Sequence, residues 1–243
     1  SNLVGLSPDN QWLVISRDSK GDENHGIYLL RPTGGLLKKI YYNPKHQTSF
    51  LGFTKDSKAL YYSTNDKVPS SYSIYRYTVA TDQHEVLVDE PGIWTLSDVE
   101  GDQAILTLHK GSMNNEQYLF NLKAKTKTPL LGQNENEDFD IAFTNTKGEY
   151  LVLTNKPSDF RRIYLLKNGT LTPWSPEYNA DISAMNLSEN RRLLSYTVNN
   201  KGSSEAKLVE VPSKKQISIP FPTFGKALHT HLGGFSKNNR YLT

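Results

Sequence analysis

Along this chain, short segments rich in Val, Ile, Leu, Tyr and Phe alternate with polar clusters, and no long segment has helical periodicity. The first unit shows the order. Leu3-Val4-Gly5-Leu6 predicts a short strand, and Pro8-Asp9-Asn10 predicts a turn, because Pro presets φ and Asp or Asn caps the bend. Trp12 to Ser16 predicts a second, buried strand, and Arg17 to His25 a polar loop. Gly26 to Leu30 predicts a third strand, Thr33-Gly34-Gly35 a hairpin turn, and Leu36 to Tyr41 an outer strand.

The polar turn returns every 43–48 residues. It reads Ser7-Pro8-Asp9-Asn10-Gln11-Trp12-Leu13, then Thr54 to Leu60, more loosely Val99 to Ile105, then Asn145 to Leu151, Ser188 to Leu194 and Ser236 to Leu242. The third strand recurs as Ser73 to Tyr77, Gln117 to Leu122, Arg162 to Leu166 and Lys207 to Val211. A strand-only repeat of this length predicts an all-β chain, a β-propeller of four-stranded antiparallel blades. We expect one propeller domain over residues 1–243, with repeats at about 3–45, 46–90, 91–134, 135–178 and 179–224 and a partial sixth at 225–243. The sixth has an inner strand at about His229 to Phe235 and the start of another at Arg240 to Thr243. This implies a fragment of a larger ring with edges open to self-association, or a five-bladed ring with the sixth unit docked irregularly.

Composition narrows the function. The 28 basic and 25 acidic residues are interleaved, too balanced for nucleic acid or an anionic membrane. No apolar run is long enough to span a bilayer. The chain has no cysteine, which excludes disulfides and thiolate metal sites. Ser1-Asn2 looks like a cloning scar, which would leave the native N-terminus out of view; the compartment stays unknown, cytoplasmic being favoured and periplasmic open if a leader was removed.

The Ser-Pro-Asp-x-x-x-Leu turn with a downstream Ile-Tyr-Leu strand resembles the propeller repeats of TolB and of the prolyl oligopeptidase family of serine peptidases. Leu153-Thr154-Asn155-Lys156 with Asp159 to Tyr164, and Leu194 to Gly202, are similar to strands of the peptidase branch, in particular its acylaminoacyl-peptidase-like and dipeptidyl-peptidase-like members. The resemblance implies a non-catalytic propeller that gates access of short peptides to an α/β-hydrolase domain of the same parent chain. That domain would carry the Gly-x-Ser-x-Gly nucleophile elbow followed by Asp and His. No such elbow is present here, and the nearest string, Gly234-Phe235-Ser236-Lys237-Asn238, falls on the sixth turn. We therefore expect no catalytic residue and no enzymatic activity in this chain, with the parent a serine peptidase. The alternative is a TolB-like interaction propeller with no enzyme attached. A propeller lyase or glycosidase ranks last, because the inner strands are mostly apolar.

Candidate sites are few. Glu135, Glu137, Asp138 and Asp140 form an acidic run entering the fourth repeat, and Asp181 enters the fifth. On a shared rim these carboxylates would attract a peptide's N-terminal ammonium, as the resemblance implies for some relatives. Arg161 and Arg162 would pair with a substrate carboxylate or with the rim itself. The candidate gating or peptide-binding residues are thus Glu137, Asp138, Asp140, Arg161, Arg162 and Asp181. His229 and His231 share one side of a strand, but two ligands do not complete a zinc site. Asp18, Asp22, Glu23 and Asn24 lack the spacing of a calcium loop. The sequons at Asn168 and Asn186 fall on a turn and a strand end, so no metal, cofactor or modification is assigned.

Overall fold

The computed structural model describes residues 1–19, 21, 23–219, 232–236 and 239–242. Among these residues there is no helix, and five groups of four strands follow one another in chain order. The first is β1 (Asn2–Leu6), β2 (Leu13–Arg17), β3 (Gly26–Leu30) and β4 (Lys38–Tyr41). The second is β5 (Thr48–Phe53), β6 (Ala59–Val68), β7 (Ser71–Thr78) and β8 (Gln83–Val88). The third is β9 (Ile93–Glu100), β10 (Gln103–Gly111), β11 (Asn114–Asn121) and β12 (Thr126–Leu131). The fourth is β13 (Asp140–Phe143), β14 (Glu149–Thr154), β15 (Arg162–Lys167) and β16 (Thr170–Pro173). The fifth is β17 (Ile182–Leu187), β18 (Leu193–Asn200), β19 (Ser203–Glu210) and β20 (Gln216–Ile217). Strands within a group pair in sequence order, and one parallel bridge, Tyr72 to Ile93, joins the second group to the third. Of the sixth repeat, the described residues show a bridge between Phe235 and Leu242. Residues 229–231 of its expected inner strand, with His229 and His231, lie outside them.

The described residues form two compact units. The first holds residues 1–96, 106–110 and 120–126, and the second holds 97–105, 111–119 and 127–243. In the second unit the physical reason for the apolar runs is plain. Leu151 and Leu153 of β14 point into a core shared with Ile182, Leu194, Tyr196 and Val198 of the fifth sheet. Their neighbours Tyr150 and Val152 point the other way, into a core with Ile105, Phe139 and Ile141. Side chains alternate along a strand, so a strand buried on both faces reads as continuously apolar. Completely burying one Leu stabilises by about 1.5–3 kcal/mol, which makes stacking of sheets the main source of stability. The first unit buries Val14, Ile27, Leu29 and Leu60 with Tyr62, Tyr75 and Tyr77. There Tyr62 stacks on Tyr75 with centroids 5.1 Å apart.

The recurring turn is held by a hydroxyl. Ser7 is fully buried, and its Oγ accepts the Trp12 N–H at 2.9 Å and donates to Asp9 at 2.6 Å. That bond, with the Gln11 N–H, holds the Asp9 carboxyl below its ordinary range. The same geometry recurs from Thr54 to Ala59, Ser188 to Leu193 and Ser236 to Tyr241. The fourth residue of each turn has positive φ: Asn10, Ser57, Arg191 and Asn239. Two copies differ from the expected frame. In the fourth repeat the pairing of Phe143 with Tyr150 puts the hydroxyl one residue earlier, on Thr144, and Gly148 takes the positive φ. In the third, Gly101 (φ 58°) and Asp102 alone connect β9 to β10, because Val99 offers no hydroxyl.

Ser188→Ala is expected to cost about 1–3 kcal/mol, since it strands the Leu193 N–H beneath the turn. The exposed Ser213→Ala should stay within about 0.5 kcal/mol, and urea unfolding of both variants measures the contrast. In the first unit, His84 lies against Tyr62 and Tyr77, with Nδ1 2.9 Å from the Tyr62 hydroxyl. Burial pushes its pKa below the ordinary value of 6.5. The unfolded chain then binds the proton more readily, so this contribution is intact above pH 6.5 and is lost as the pH falls through the lower folded value. His84→Gln should flatten that part of the stability-versus-pH curve.

Candidate functional site

Two of the candidate carboxylates meet the Arg161 guanidinium, and a third meets its backbone N–H. Arg161 precedes β15, and its Nη2 lies 2.8 Å from Asp140 and 3.5 Å from Asp138. Its backbone N–H donates to Asp181 at 2.8 Å. Three carboxylates distant in sequence thus meet around Arg161. Asp138 is set in place by an amide network beneath it. Its Oδ1 accepts from Asn115 Nδ2, and Asn115 Oδ1 accepts from Gln117 Nε2 at 2.8 Å and from the Phe139 N–H at 3.2 Å. Asn115 and Gln117 are buried and their amides leave little freedom to this segment. Gly132 (φ 87°) closes against the same strand, where a Cβ would lie 2.5 Å from the Asn115 carbonyl oxygen.

The other two candidates are placed differently. Glu137 contributes its backbone carbonyl, which accepts the Asn115 N–H at 3.0 Å. Arg162 turns away from Arg161: Nε and Nη2 donate to the Ser175 carbonyl at 3.1 and 2.8 Å, and Nη1 lies 3.5 Å from Glu177. Its charge is committed to the β16–β17 connection. Asp140 has 60% of its side chain exposed, against 23% for Asp138.

Asp140 also lines a cavity of about 520 Å³ in the second unit. Its walls come from β9, β13 and β17, including Asp98, Ala142, Met185 and Leu187, which identifies these as the inner strands of their sheets. Across it, Arg191 Nη2 reaches Asp98 Oδ1 at 2.6 Å, while Asp98 Oδ2 accepts the Phe143 N–H at 2.9 Å. Sequence reasoning passed over this pair. Its one signal is an arginine at a turn position that holds Asn10, Ser57 and Asn239 in other copies.

No candidate nucleophile emerges from the Gly234-Phe235-Ser236 string. Ser236 Oγ accepts the N–H groups of Arg240 at 3.2 Å and Tyr241 at 2.9 Å, as a turn residue does. In the loop read against calcium, Asn24 donates to the Pro44 carbonyl at 2.7 Å, and Asp22 lies outside the described residues. Among the described residues no group of three or more His, Asp or Glu side chains is placed to hold a metal ion.

The family model described as "Prolyl oligopeptidase, N-terminal beta-propeller domain" matches residues 2–228. The chain belongs to the prolyl oligopeptidase family. Its fold is similar to that of a prolyl endopeptidase studied for inter-domain dynamics in catalysis and specificity (TM-score 0.74, 15% identity, covering 97% of this chain and 37% of that one). It is also similar to prolyl oligopeptidase B from Galerina marginata bound to a 35mer hydrolysis and macrocyclization substrate (TM-score 0.68, 16% identity, 91% of this chain and 34% of that one). TolB from Acinetobacter baumannii shares the fold too (TM-score 0.62, 14% identity, 88% of this chain and 51% of that one). The chain spans about a third of the length of the two peptidases. No curated protein matches by sequence. In this member of the prolyl oligopeptidase family the described residues form the five four-strand groups given above, the second and third joined in one eight-stranded sheet.

Arg161→Ala should cost about 1–3 kcal/mol, because it leaves Asp138 and Asp140 adjacent without their cation. Asp140→Asn, at an exposed pair, should cost under about 1 kcal/mol, and chemical denaturation separates the two effects.

Proposed function

We propose that this chain is the non-catalytic propeller of a serine peptidase of the prolyl oligopeptidase family, gating access of short peptides to a hydrolase domain outside residues 1–243. One observation carries it. The chain is similar in fold over 97% of its length to 37% of a prolyl endopeptidase, and the family model that it matches is that of the N-terminal propeller domain. The engagement of Ser236 in a turn supports the assignment of chemistry to another domain.

In this reading the rim formed by Glu137, Asp138, Asp140, Arg161, Arg162 and Asp181 is where a peptide is first held. Arg161 neutralises part of the acidic charge and fixes its position. Asp140, exposed and lining the cavity, is the carboxylate an incoming ammonium reaches by displacing one arm of Arg161. A second reading, a TolB-like interaction propeller, is favoured by the similarity to TolB over 88% of the chain.

The coding sequence downstream of Thr243 is expected to carry a Gly-x-Ser-x-Gly elbow followed by Asp and His, and the purified 243-residue chain to hydrolyse no peptide. In the full-length protein, removing the propeller should raise kcat/KM for long peptides relative to short ones. Asp140→Asn should raise KM for short peptides with a free N-terminus but not for their N-acetylated forms. Active-site-titratable hydrolysis by the isolated chain would defeat the assignment, and a reading frame without a hydrolase domain would favour the interaction propeller.

A further inference from the structure

The turn after β17 departs from its counterparts in a way the fold does not require. Its fourth residue has φ 59°, a conformation that suits Asn or Gly and strains other residues. In two other copies the side chain at this position is short and receives a backbone N–H from the preceding turn. Ser57 Oγ accepts from Asp9 at 3.0 Å, and Asn239 Oδ1 accepts from Asn190 at 3.1 Å. Arg191 holds the same position but reaches 93 residues back, across the cavity. Nη2 meets Asp98 at 2.6 Å and Nε lies 3.7 Å from Glu100. The side chains of Arg191 and Asp98 are only 14% and 13% exposed, so solvent screens the pair far less than a surface ion pair. Asp98 Oδ2 is meanwhile engaged by the Phe143 N–H of β13. One carboxylate therefore joins the inner strand of the third sheet, the inner strand of the fourth and the turn of the fifth.

We propose that the Asp98–Arg191 pair is a releasable crossbar that fixes the spacing of these three sheets around the cavity and so sets the size of molecule that passes it. The proposal rests on the gating reading for its functional half. Its structural half stands on the geometry alone. A hydrophobic contact would hold the sheets without a defined release. An ion pair that lines a cavity can be exchanged for a charged group of a passing peptide.

Amide hydrogen exchange on the 243-residue chain tests the crossbar. Arg191→Asn keeps a residue suited to positive φ, so the turn should still form. In this variant, and in Asp98→Ala, exchange of Phe143 and of residues 97–105 should quicken at least about tenfold, while Leu151 and Leu153 of β14 keep their protection. Arg191→Lys should stay close to the native pattern. Unchanged exchange at Phe143 and 97–105, or equal loss at Leu151 and Leu153, would overturn the crossbar. In the full-length protein, Arg191→Asn should raise kcat/KM for long peptides relative to short ones. Quickened exchange with no change in that ratio would overturn its role in size selection. If removing the whole propeller also leaves the ratio unchanged, it is the gating reading that fails.

Discussion

Burial of both faces of the second strand in the second to fifth groups, β6, β10, β14 and β18, is the constraint on which the rest of this structure depends. Leu151 and Leu153 serve one core while Tyr150 and Val152 serve the next, so the fourth sheet contributes to two hydrophobic cores. A single four-stranded sheet has two apolar faces and cannot hide either alone. Stacking hides both, and each added sheet completes the one before it. Repetition of the same strand pattern is thus a physical requirement rather than a record of duplication alone.

Stacking in turn dictates the turns. Where an inner strand folds back onto the second strand, the backbone must reverse without leaving buried N–H groups unpaired. A Ser or Thr hydroxyl accepts the N–H five residues on, which closes the reversal at Ser7, Thr54, Ser188 and Ser236. The residue at positive φ then projects its side chain away from its own turn. Ser57 and Asn239 use that direction to tie neighbouring turns, and Arg191 uses it to cross the cavity. A backbone device that repeats for structural reasons supplies one position per copy from which a side chain can act at a distance.

Charge is distributed by the same logic. The acidic segment 137–140 is anchored by the buried amides of Asn115 and Gln117, and two of its carboxylates, Asp138 and the more exposed Asp140, meet Arg161. Charges in this part of the structure are therefore already matched, Arg161 with Asp138 and Asp140 and Arg162 with Glu177. Only Asp140 combines exposure with access to the cavity, and the proposed contact with a peptide follows from that combination.

The strand order, the period of the repeat and most of the turns were legible in the sequence because they rest on interactions within about six residues: side-chain alternation along a strand and a hydroxyl capping its own turn. The fourth turn was read one residue late, since Thr144 and Thr146 both offer hydroxyls and only the pairing of β13 with β14 chooses between them. The acidic run, Arg161 and Asp181 were visible as candidates, but their convergence was not, and nothing local separated Arg161, which gathers carboxylates, from Arg162, which caps the Ser175 carbonyl. Asp98 and Arg191 gave no local sign of each other. The chain by itself determined which segments become strands and where they reverse. Only the tertiary structure decided which charges meet, because sheet stacking brings together groups that, like these two, lie 93 residues apart in sequence.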